Sequence, residues 1–262
     1  MTLYIHEMKM NIKSLIIWTI CVGGLCLGCV LLYTSLQDSL EGMADAYSNM
    51  GAMSQAFGMD KMSIATLEGY YATEIGMMHG LGGAMFAAII GSVMLSKEEM
   101  MHTSEFLNTL PISRSRLVIE KYLALVSNIV IFNAVCVILY VLGFVIMGEE
   151  IQTKEFMTFH ALQLLMHIEI GTICFLISAA TRKSMIGAGL GVAVIMFAAD
   201  IMCRIIPAIE DVKYITPFYY ANGSDIFSGA DVNIVMIITG FGITVLSVLS
   251  GWGIYARKDL AS

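Results

Sequence analysis

Residues 117–147, LVIEKYLALVSNIVIFNAVCVILYVLGFVIM, decide the fold of this protein. After Lys121 this stretch continues to Met147 without a single charged residue. A helix rises about 1.5 Å per residue, so about 20 apolar residues are enough to cross the hydrocarbon core of a bilayer. We therefore predict that this stretch forms a membrane-spanning helix.

Five further apolar stretches of the chain are also long enough to cross a bilayer. They cover approximately residues 14–34, 72–95, 159–180, 185–206 and 233–255. The whole chain is 58% hydrophobic and only 13% charged, about half the charged fraction of a soluble domain. Barrel strands would be about ten residues long and would alternate in polarity, and these stretches do neither. The sequence predicts an all-α, polytopic membrane protein with six transmembrane helices in a single transmembrane domain, residues 1–262.

Lysine and arginine in the connections predict the orientation of these helices, because positively charged connections stay in the cytoplasm. One side of the membrane receives Lys9, Lys13, Lys97, Arg114, Arg116, Lys121, Arg182, Lys183, Arg257 and Lys258. The connections on the other side carry Lys61, Lys154, Lys213 and most of the acidic residues. Both termini are therefore predicted to be cytoplasmic, and the long connections 35–71 and 207–232 to be extracytoplasmic. The net charge of −7 gives no indication of nucleic-acid binding.

The N-terminal residues 1–13 allow two interpretations. On a helix, Ile5 and Ile12 lie on one side, whereas Lys9 and Lys13 lie on another. This pattern suits a helix that rests in the cytoplasmic interface of the membrane. The alternative is that these residues form the cytoplasmic end of the first transmembrane helix.

The connection between the second and third apolar stretches is charged, and residues 96–116 in it read SKEEMMHTSEFLNTLPISRSR. Ser96 and Glu99 have the spacing of a capping box, which predicts the start of a helix. Pro111 disfavours helix at the residue before it and predicts the end of that helix. We therefore predict a short cytoplasmic helix within residues 96–113. The alternative is an ordinary polar loop between two membrane helices.

The same connection resembles the coupling-helix region of the type-2 ATP-binding-cassette permease family. That region typically has a Glu, a Gly-Thr pair, a Glu-Leu-Leu-like step, a Pro-x-Ser-Arg motif and a Lys in the next helix. The corresponding residues of this chain are Glu98, Glu99, Thr103, Glu105, Phe106, Leu107, Pro111, Ser113, Arg114 and Lys121. Met101-His102-Thr103 stands where Gly-Thr is usual, which is a departure from the family pattern. Ser113 also suits the N-cap of the third transmembrane helix.

Two further segments and the topology carry the resemblance along the rest of the chain. Residues 214–221, YITPFYYA, resemble the Pro-Phe outer loop of the family, and residues 255–260, YARKDL, resemble its usual C-terminal ending. The topology also agrees, with six spans, both ends inside and longer outer connections after the first and fifth spans. Topology and motifs together make the resemblance extend over the whole chain.

The resemblance implies the permease subunit of an ATP-driven transporter, an exporter in the bacterial cytoplasmic membrane. Two such subunits would pair as a homodimer or heterodimer, and two separate cytoplasmic ATPase subunits would dock beneath them. The chain has no Gly-x-x-x-x-Gly-Lys-Ser/Thr loop, so we expect the partner subunit to bind the ATP and expect no cofactor and no catalytic residue in this chain. The residues implied in ATPase coupling are Glu98, Glu99, Thr103, Glu105, Phe106, Pro111 and Arg114.

Polar residues inside the predicted spans are further candidates, because they are costly in lipid. Asp200 and Arg204 are four residues apart, so they can form an ion pair on one helical face. That pair has either a structural role or a role in a gate or substrate contact. His160, Gln163 and His167 share another helical face, which we expect to line a dimer interface or a cavity.

Glu169 follows His167 at a spacing of two, which leaves a metal site or a proton path as an alternative use of these two residues. We predict no metal site. The methionines of the first outer connection are soft ligands suited to Cu(I), but the chain holds 21 Met and uses this residue as a general apolar filler. They are Met43, Met50, Met53, Met59 and Met62. Glycine pairs at residues 76 and 80 and at residues 187 and 191 predict close helix packing.

Two other classes of protein remain as alternatives. An intramembrane enzyme would need a constellation such as His-Glu-x-x-His or paired acids within the spans, and the sequence has neither. A membrane anchor or assembly factor would need no substrate path, but it would also have no need of the charged cytoplasmic segment. The segment therefore favours the transport permease.

Overall fold

The computed structural model describes residues 2–101, 103 and 112–258, and all regular secondary structure in this part of the chain is helical. Six of its helices are long and apolar enough to span a membrane, which confirms the six predicted spans and the all-α class. The spanning helices are α1 (Thr2–Ser48), α3 (Leu67–Val93), α5 (Arg114–Met147), α6 (Thr153–Ala180), α7 (Ile186–Ile205) and α10 (Ile234–Arg257). The short helices are α2 (Ala52–Phe57), α4 (Lys97–Met100), α8 (Pro217–Tyr220) and α9 (Gly223–Phe227), with a 3-10 helix at Pro207–Tyr214.

Side-chain caps explain where several helices begin. The hydroxyl of Ser113 accepts a hydrogen bond from the amide of Arg116 at 3.3 Å, which confirms the predicted cap of α5. Asn233 caps α10 in the same way. At its other end α5 stops at Gly148, whose positive φ of 73° suits glycine at a helix C-terminus.

The first helix is longer than a bilayer is thick. At 47 residues, α1 extends over about 70 Å, with a π-helical turn at Thr19–Gly24. Residues 2–13 are continuous with the rest of α1, as expected if they form the cytoplasmic end of the first span. Their predicted position in the membrane interface stays a prediction.

Helices α3 and α6 form the centre of the bundle. Each packs extensively against the other, while α7 covers α3 and α10 covers α6. Most residues of α3 and α6 are buried, whereas most residues of α7 and α10 are not. The exposed side chains of the outer helices are large and apolar, as expected for surfaces that face lipid. They include Ile195 of α7 and Ile238, Phe241 and Leu246 of α10.

Glycines on α3 allow its close approach to α6. A Cβ atom at Gly76 would lie 3.3 Å from the ring of Phe159, and one at Gly80 would lie 3.1 Å from Gln163. The predicted packing role of this glycine pair is confirmed.

The second predicted glycine pair is wrong. A Cβ atom at Gly187 or Gly191 would meet no other atom within 4 Å. Gly189 makes the close contact instead, because a Cβ atom there would lie 2.9 Å from the carbonyl oxygen of Ala88 on α3. Successive residues of a helix point about 100° apart, so Gly187 and Gly191 share a face and Gly189 lies on nearly the opposite one.

Both long connections contain helices. The first, residues 35–71, holds the end of α1, then α2 and the first turn of α3. The second, residues 207–232, which we call the outer segment, folds back onto the bundle. The hydroxyl of Thr216 donates to the carbonyl of Met196 at 2.7 Å, and the amide of Gln163 donates to the carbonyl of Ala221 at 2.8 Å. The outer segment therefore contributes groups to the interior of the bundle.

Candidate functional site

A buried lysine organises a first cluster of charges, which we call the inner cluster. Lys121 on α5 is fully buried, and its ammonium group donates to Glu7 at 2.8 Å, to Glu98 at 2.5 Å and to the carbonyl of Met94 at 2.8 Å. These three bonds use all three of its protons. Glu7 on α1 is equally buried and also pairs with Lys97. The inner cluster thus fixes the ends of α1, α3 and α5 around α4.

The inner cluster continues through Glu99 to the other end of the chain. Lys258, directly after α10, pairs with Glu99 at 2.5 Å and donates to the carbonyl of Thr181 at 2.5 Å. Arg182 lies 3.8 Å from the same carboxylate. Arg114 donates to the carbonyls of Ala256 and Lys258, which joins the start of α5 to the end of α10. The ends of α1, α3, α5, α6 and α10 on this side of the bundle therefore meet at or next to α4.

The predicted coupling residues that the structure describes differ in the direction of their side chains. Glu98 and Glu99 turn their carboxylates inward to lysines of this chain, and Thr103 follows them with its amide bonded to the carbonyl of Glu98 at 2.8 Å. Arg114 is exposed apart from its bonds to the end of α10. Glu105, Phe106 and Pro111 lie outside the described residues, as does His102. Contact of any of these residues with an ATPase stays a prediction.

The helix start predicted at Ser96 is confirmed, because α4 begins at Lys97, but the capping bond itself does not form. Ser96 has helical backbone angles, and its side chain makes no capping bond to α4. The hydroxyl of Ser96 is buried without a hydrogen-bond partner in the described structure. Glu99 is drawn away from the helix start because it pairs with Lys258, whose ammonium group gives a stronger bond than a backbone amide.

A second set of charges, the outer cluster, surrounds Arg204. Arg204 pairs with Asp200 at 2.9 Å, which confirms the predicted ion pair, and also with Asp225 of α9 at 2.9 Å. Its guanidinium lies 4.2 Å from the ring centre of Tyr219, and Asp225 continues to Lys61 at 2.5 Å. Burial raises the pKa of Asp225, but Arg204 and Lys61 outweigh burial, so the net result is a lowered pKa. The outer cluster joins α7 to the outer segment.

A third polar cluster consists of histidines in the core of the bundle. His79 of α3 and His160 and His167 of α6 are buried, with ring centres 5.3 Å apart for His79 and His160 and 5.4 Å apart for His79 and His167. The prediction that His160 and His167 line a dimer interface or a cavity is wrong, because both rings point into the core of this one chain. Gln163 does line a cavity of about 40 Å³, together with Gly80, Asp200 and residues of the outer segment.

His167 and Glu169 act with different partners. The ring of His167 contacts Asn133 and Gly80, whereas Glu169 accepts a hydrogen bond from the hydroxyl of Tyr220 at 2.9 Å. Residues two apart on a helix point to nearly opposite sides, which explains this separation. Within the described residues, no group of three or more His, Cys, Asp or Glu side chains is arranged to hold a metal ion.

Sequence reasoning missed several residues that the clusters depend on, among them Glu7, Asn133 and Lys258. Glu7 and Lys258 come from the two ends of the chain, and their partners lie 114 and 159 positions away. The available signal was a lone ionisable residue next to a span, which is expensive in lipid unless it has a partner. Asn133 sits in the most apolar predicted helix, where a polar amide among apolar neighbours was the only signal.

The family model described as ABC-2 family transporter protein matches residues 1–260, nearly the whole chain. No curated protein matches the sequence.

Proposed function

The chain belongs to the ABC-2 family of transporter proteins, and from that premise we propose that it is the permease subunit of an ATP-driven exporter in a bacterial cytoplasmic membrane. Membership implies association with ABC ATPase subunits, and the six apolar helices make the chain a multi-pass membrane protein. We infer that two ATPase subunits and a second permease subunit complete the transporter, and that the ATPases dock on the connection between α3 and α5.

The observation that carries this proposal is the inner cluster. Four parts of the chain that are distant in sequence pair with Lys97, Glu98 and Glu99, the residues at the start of that connection. These parts are α1, α5, the residues after α6 and the residues after α10. A force applied to the connection would therefore reach several transmembrane helices at the same time.

The side-chain directions support a division of roles among the proposed coupling residues. Glu98 and Glu99 hold α4 against the membrane helices, since both carboxylates bond to buried or nearly buried lysines of this chain. Contact with the ATPase is left to the rest of the connection, for which we propose Thr103, Glu105, Phe106, Pro111 and Arg114. Replacing Glu98 or Glu99 would then impair coupling by releasing α4 rather than by removing a contact to the ATPase.

The physical mechanism is a shift between two states of the helix bundle. ATP binding and hydrolysis change the shape of the ATPases, and the permease responds only if its two states make different contacts with them. Breaking a buried ion pair costs about 3–5 kcal/mol, so the inner cluster favours movement of its helices as one unit.

Co-purification with a candidate ATPase tests the proposal. The permease would be co-expressed with a candidate phosphate-loop ATPase from the same organism, and the ATPase retained on the tagged permease would be measured. We expect the double variant Glu105→Lys/Phe106→Ala to lose most of the ATPase, and the matched charge change Asp211→Lys in the outer segment to retain it. Equal retention by the two variants would contradict the proposed docking site, and no retention by the unmodified permease would contradict the proposed partner.

A further inference from the structure

We propose that the side chains around His167 form a proton-binding site within the membrane-spanning bundle. The site consists of His167, Asn133 and His79, with the carbonyl of Gly80. The proposal does not rest on the ATPase partner, and the family match assigns no such site. It follows from the number of protons that the hydrogen bonds of this cluster require.

The orientation of Asn133 is fixed by one of its own contacts. Its amide nitrogen donates to the carbonyl of Ile129 at 2.9 Å. If the amide were turned over, its oxygen would face that carbonyl oxygen, and the two would repel each other. The side-chain oxygen of Asn133 therefore faces the histidines, where it lies 3.1 Å from Nε2 of His79 and 3.1 Å from Nδ1 of His167.

Two histidine nitrogens must then carry a proton toward Asn133. His79 can do this as a neutral ring, because its other nitrogen accepts a hydrogen bond from the hydroxyl of Tyr140 at 3.0 Å. His167 cannot, because its Nε2 faces a second acceptor, the carbonyl oxygen of Gly80, at 3.0 Å. A neutral imidazole has only one N–H group, but His167 contacts two oxygen atoms that can only accept.

No assignment of neutral side chains satisfies every contact in this cluster. With Asn133 in its observed orientation, one of the two contacts of His167 lacks a proton. With Asn133 turned over, the contact to Ile129 lacks one. A single proton added to His167 completes all of the bonds, so the cluster is built to take up one proton and become an imidazolium.

The groups around the site stabilise a proton without neutralising its charge. His79 contacts Tyr140 of α5 and His160 of α6, and Tyr140 in turn contacts Tyr71 of α3, Cys136 of α5 and Cys26 of α1. None of the carboxylates in the described part of the chain is bonded to the three histidines. Hydrogen bonds from the imidazolium to Asn133 and Gly80 would partly replace the hydration that the charge loses on burial. The remaining free-energy cost of the buried charge is one that a nearby carboxylate would reduce.

A cavity adjoins this site at Gly80. Gly80, whose carbonyl faces His167, also lines the cavity of about 40 Å³ beneath the outer segment. Asp200 and Gln163 line the same cavity, and Oε1 of Gln163 is buried there without a hydrogen-bond partner in the described structure. A cavity of this size and polarity has room for water, which can carry a proton.

Protonation would tighten the packing between the two central helices. The contact of His167 with Gly80 joins α6 to α3, and a Cβ atom at Gly83 would overlap the same ring, which shows how closely the helices approach. At its other end α3 leads to α4 and the inner cluster. The state of the proton site would therefore bias the position of the helix that leads into the cytoplasmic connection.

Nitrogen-15 NMR of the histidine rings tests the proposal directly. The chain has five histidines, so the variant His6→Gln/His102→Gln retains only the three histidines of the cluster. In lipid nanodiscs at pH 6 we expect one ring per chain with both nitrogens protonated and two rings with one protonated nitrogen. The unmodified protein should show the same signals and, in addition, those of His6 and His102. Three singly protonated rings at pH 6 and at pH 5 would overturn the proposal.

Two substitutions identify the ring that takes up the proton. Asn133→Asp supplies a carboxylate at the position of the amide oxygen, and we expect the doubly protonated ring to persist at higher pH in this variant. His167→Gln should remove the doubly protonated ring and leave two singly protonated ones. A doubly protonated ring that survives His167→Gln, or one that Asn133→Asp leaves unchanged, would contradict the assignment to His167. Because proton uptake itself is measured on a protein with the cluster intact, that result does not depend on how these variants fold.

Discussion

The inner and outer clusters are both built from ion pairs, yet they hold different kinds of structure together. The inner cluster centres on Lys121, which is fully buried and bonded to three acceptors from three parts of the chain. The outer cluster contains a pair within one helix, Asp200 and Arg204, and extends to Lys61, whose side chain is 43% exposed. The comparison teaches that the end of the bundle at α4 is held by a fully buried lysine, whereas the end at the outer segment is held by a chain of ion pairs that reaches solvent at Lys61.

Substitution of the central lysine should have the largest effect. Lys121→Met leaves Glu98 without its lysine and Glu7 with Lys97 alone, so we expect a loss of about 4–5 kcal/mol in stability. Thermal unfolding of the purified protein in detergent measures this loss. Lys97→Met is the matched control, because Lys97 is more exposed and pairs with Glu7 alone in the described structure. An equal loss in both variants would show that Lys121 is not the centre of the inner cluster.

The outer arginine should come second. Arg204→Ala strands Asp200 and leaves Asp225 with Lys61 alone, and we expect a loss of about 3 kcal/mol. The double variant Asp200→Asn/Arg204→Gln should lose less, because two neutral amides can still form a hydrogen bond. Thermal midpoints of the single and double variants that coincide would rule out a buried charge pair at this position.

Acid should weaken the outer cluster through Asp225. Its lowered pKa means that its contribution to stability is present above the pKa of an unfolded aspartate, about 3.9, and is lost as the pH falls through the lower folded value. We therefore expect the difference in thermal midpoint between the unmodified protein and Asp225→Asn to shrink as the pH is lowered from about 6 to about 3. A difference that stays constant over this range would show that Asp225 is not held by Arg204 and Lys61.

The smallest effect is expected where a hydrogen bond joins the same outer segment to the bundle without an ion pair. Tyr220→Phe removes the bond to Glu169 and should cost about 1 kcal/mol, well below either the lysine or the arginine variant. Tyr219→Phe is the control, since it keeps the ring that packs against Arg204. An equal drop in the thermal midpoint for Tyr220→Phe and Arg204→Ala would contradict the claim that ion pairs contribute most of the stability at the outer cluster.

Local rules predicted the features of this fold that depend on neighbours in sequence. The six spans followed from runs of apolar residues, the cap of α5 from Ser113, and the pair of Asp200 and Arg204 from a spacing of four. Each of these needs only the period of a helix or one side chain next to a helix start. The same reasoning failed at Ser96, because Lys258, which is 159 positions away from Glu99, competes for that carboxylate.

The three clusters could not be predicted because their partners come together only through tertiary packing. The pattern on α6 placed His160, Gln163 and His167 on one face but gave no indication of what that face contacts. The structure supplies His79, Asn133 and Tyr140 from two other helices. The glycines at residues 187 and 191 failed for a related reason, since a four-residue spacing defines a face and leaves its direction open.

Photo-cross-linking to the ATPase tests the central claim most directly, namely that the connection between α3 and α5 receives the ATPase. A photoreactive amino acid would replace Phe106 in one sample and Lys154, at the start of α6 on the outer side, in another. Each permease would be irradiated in membranes together with a candidate phosphate-loop ATPase from the same organism. We predict a covalent product with the ATPase from position 106 and none from position 154. Cross-linking from position 154, or none from position 106 while the ATPase co-purifies, would contradict the account.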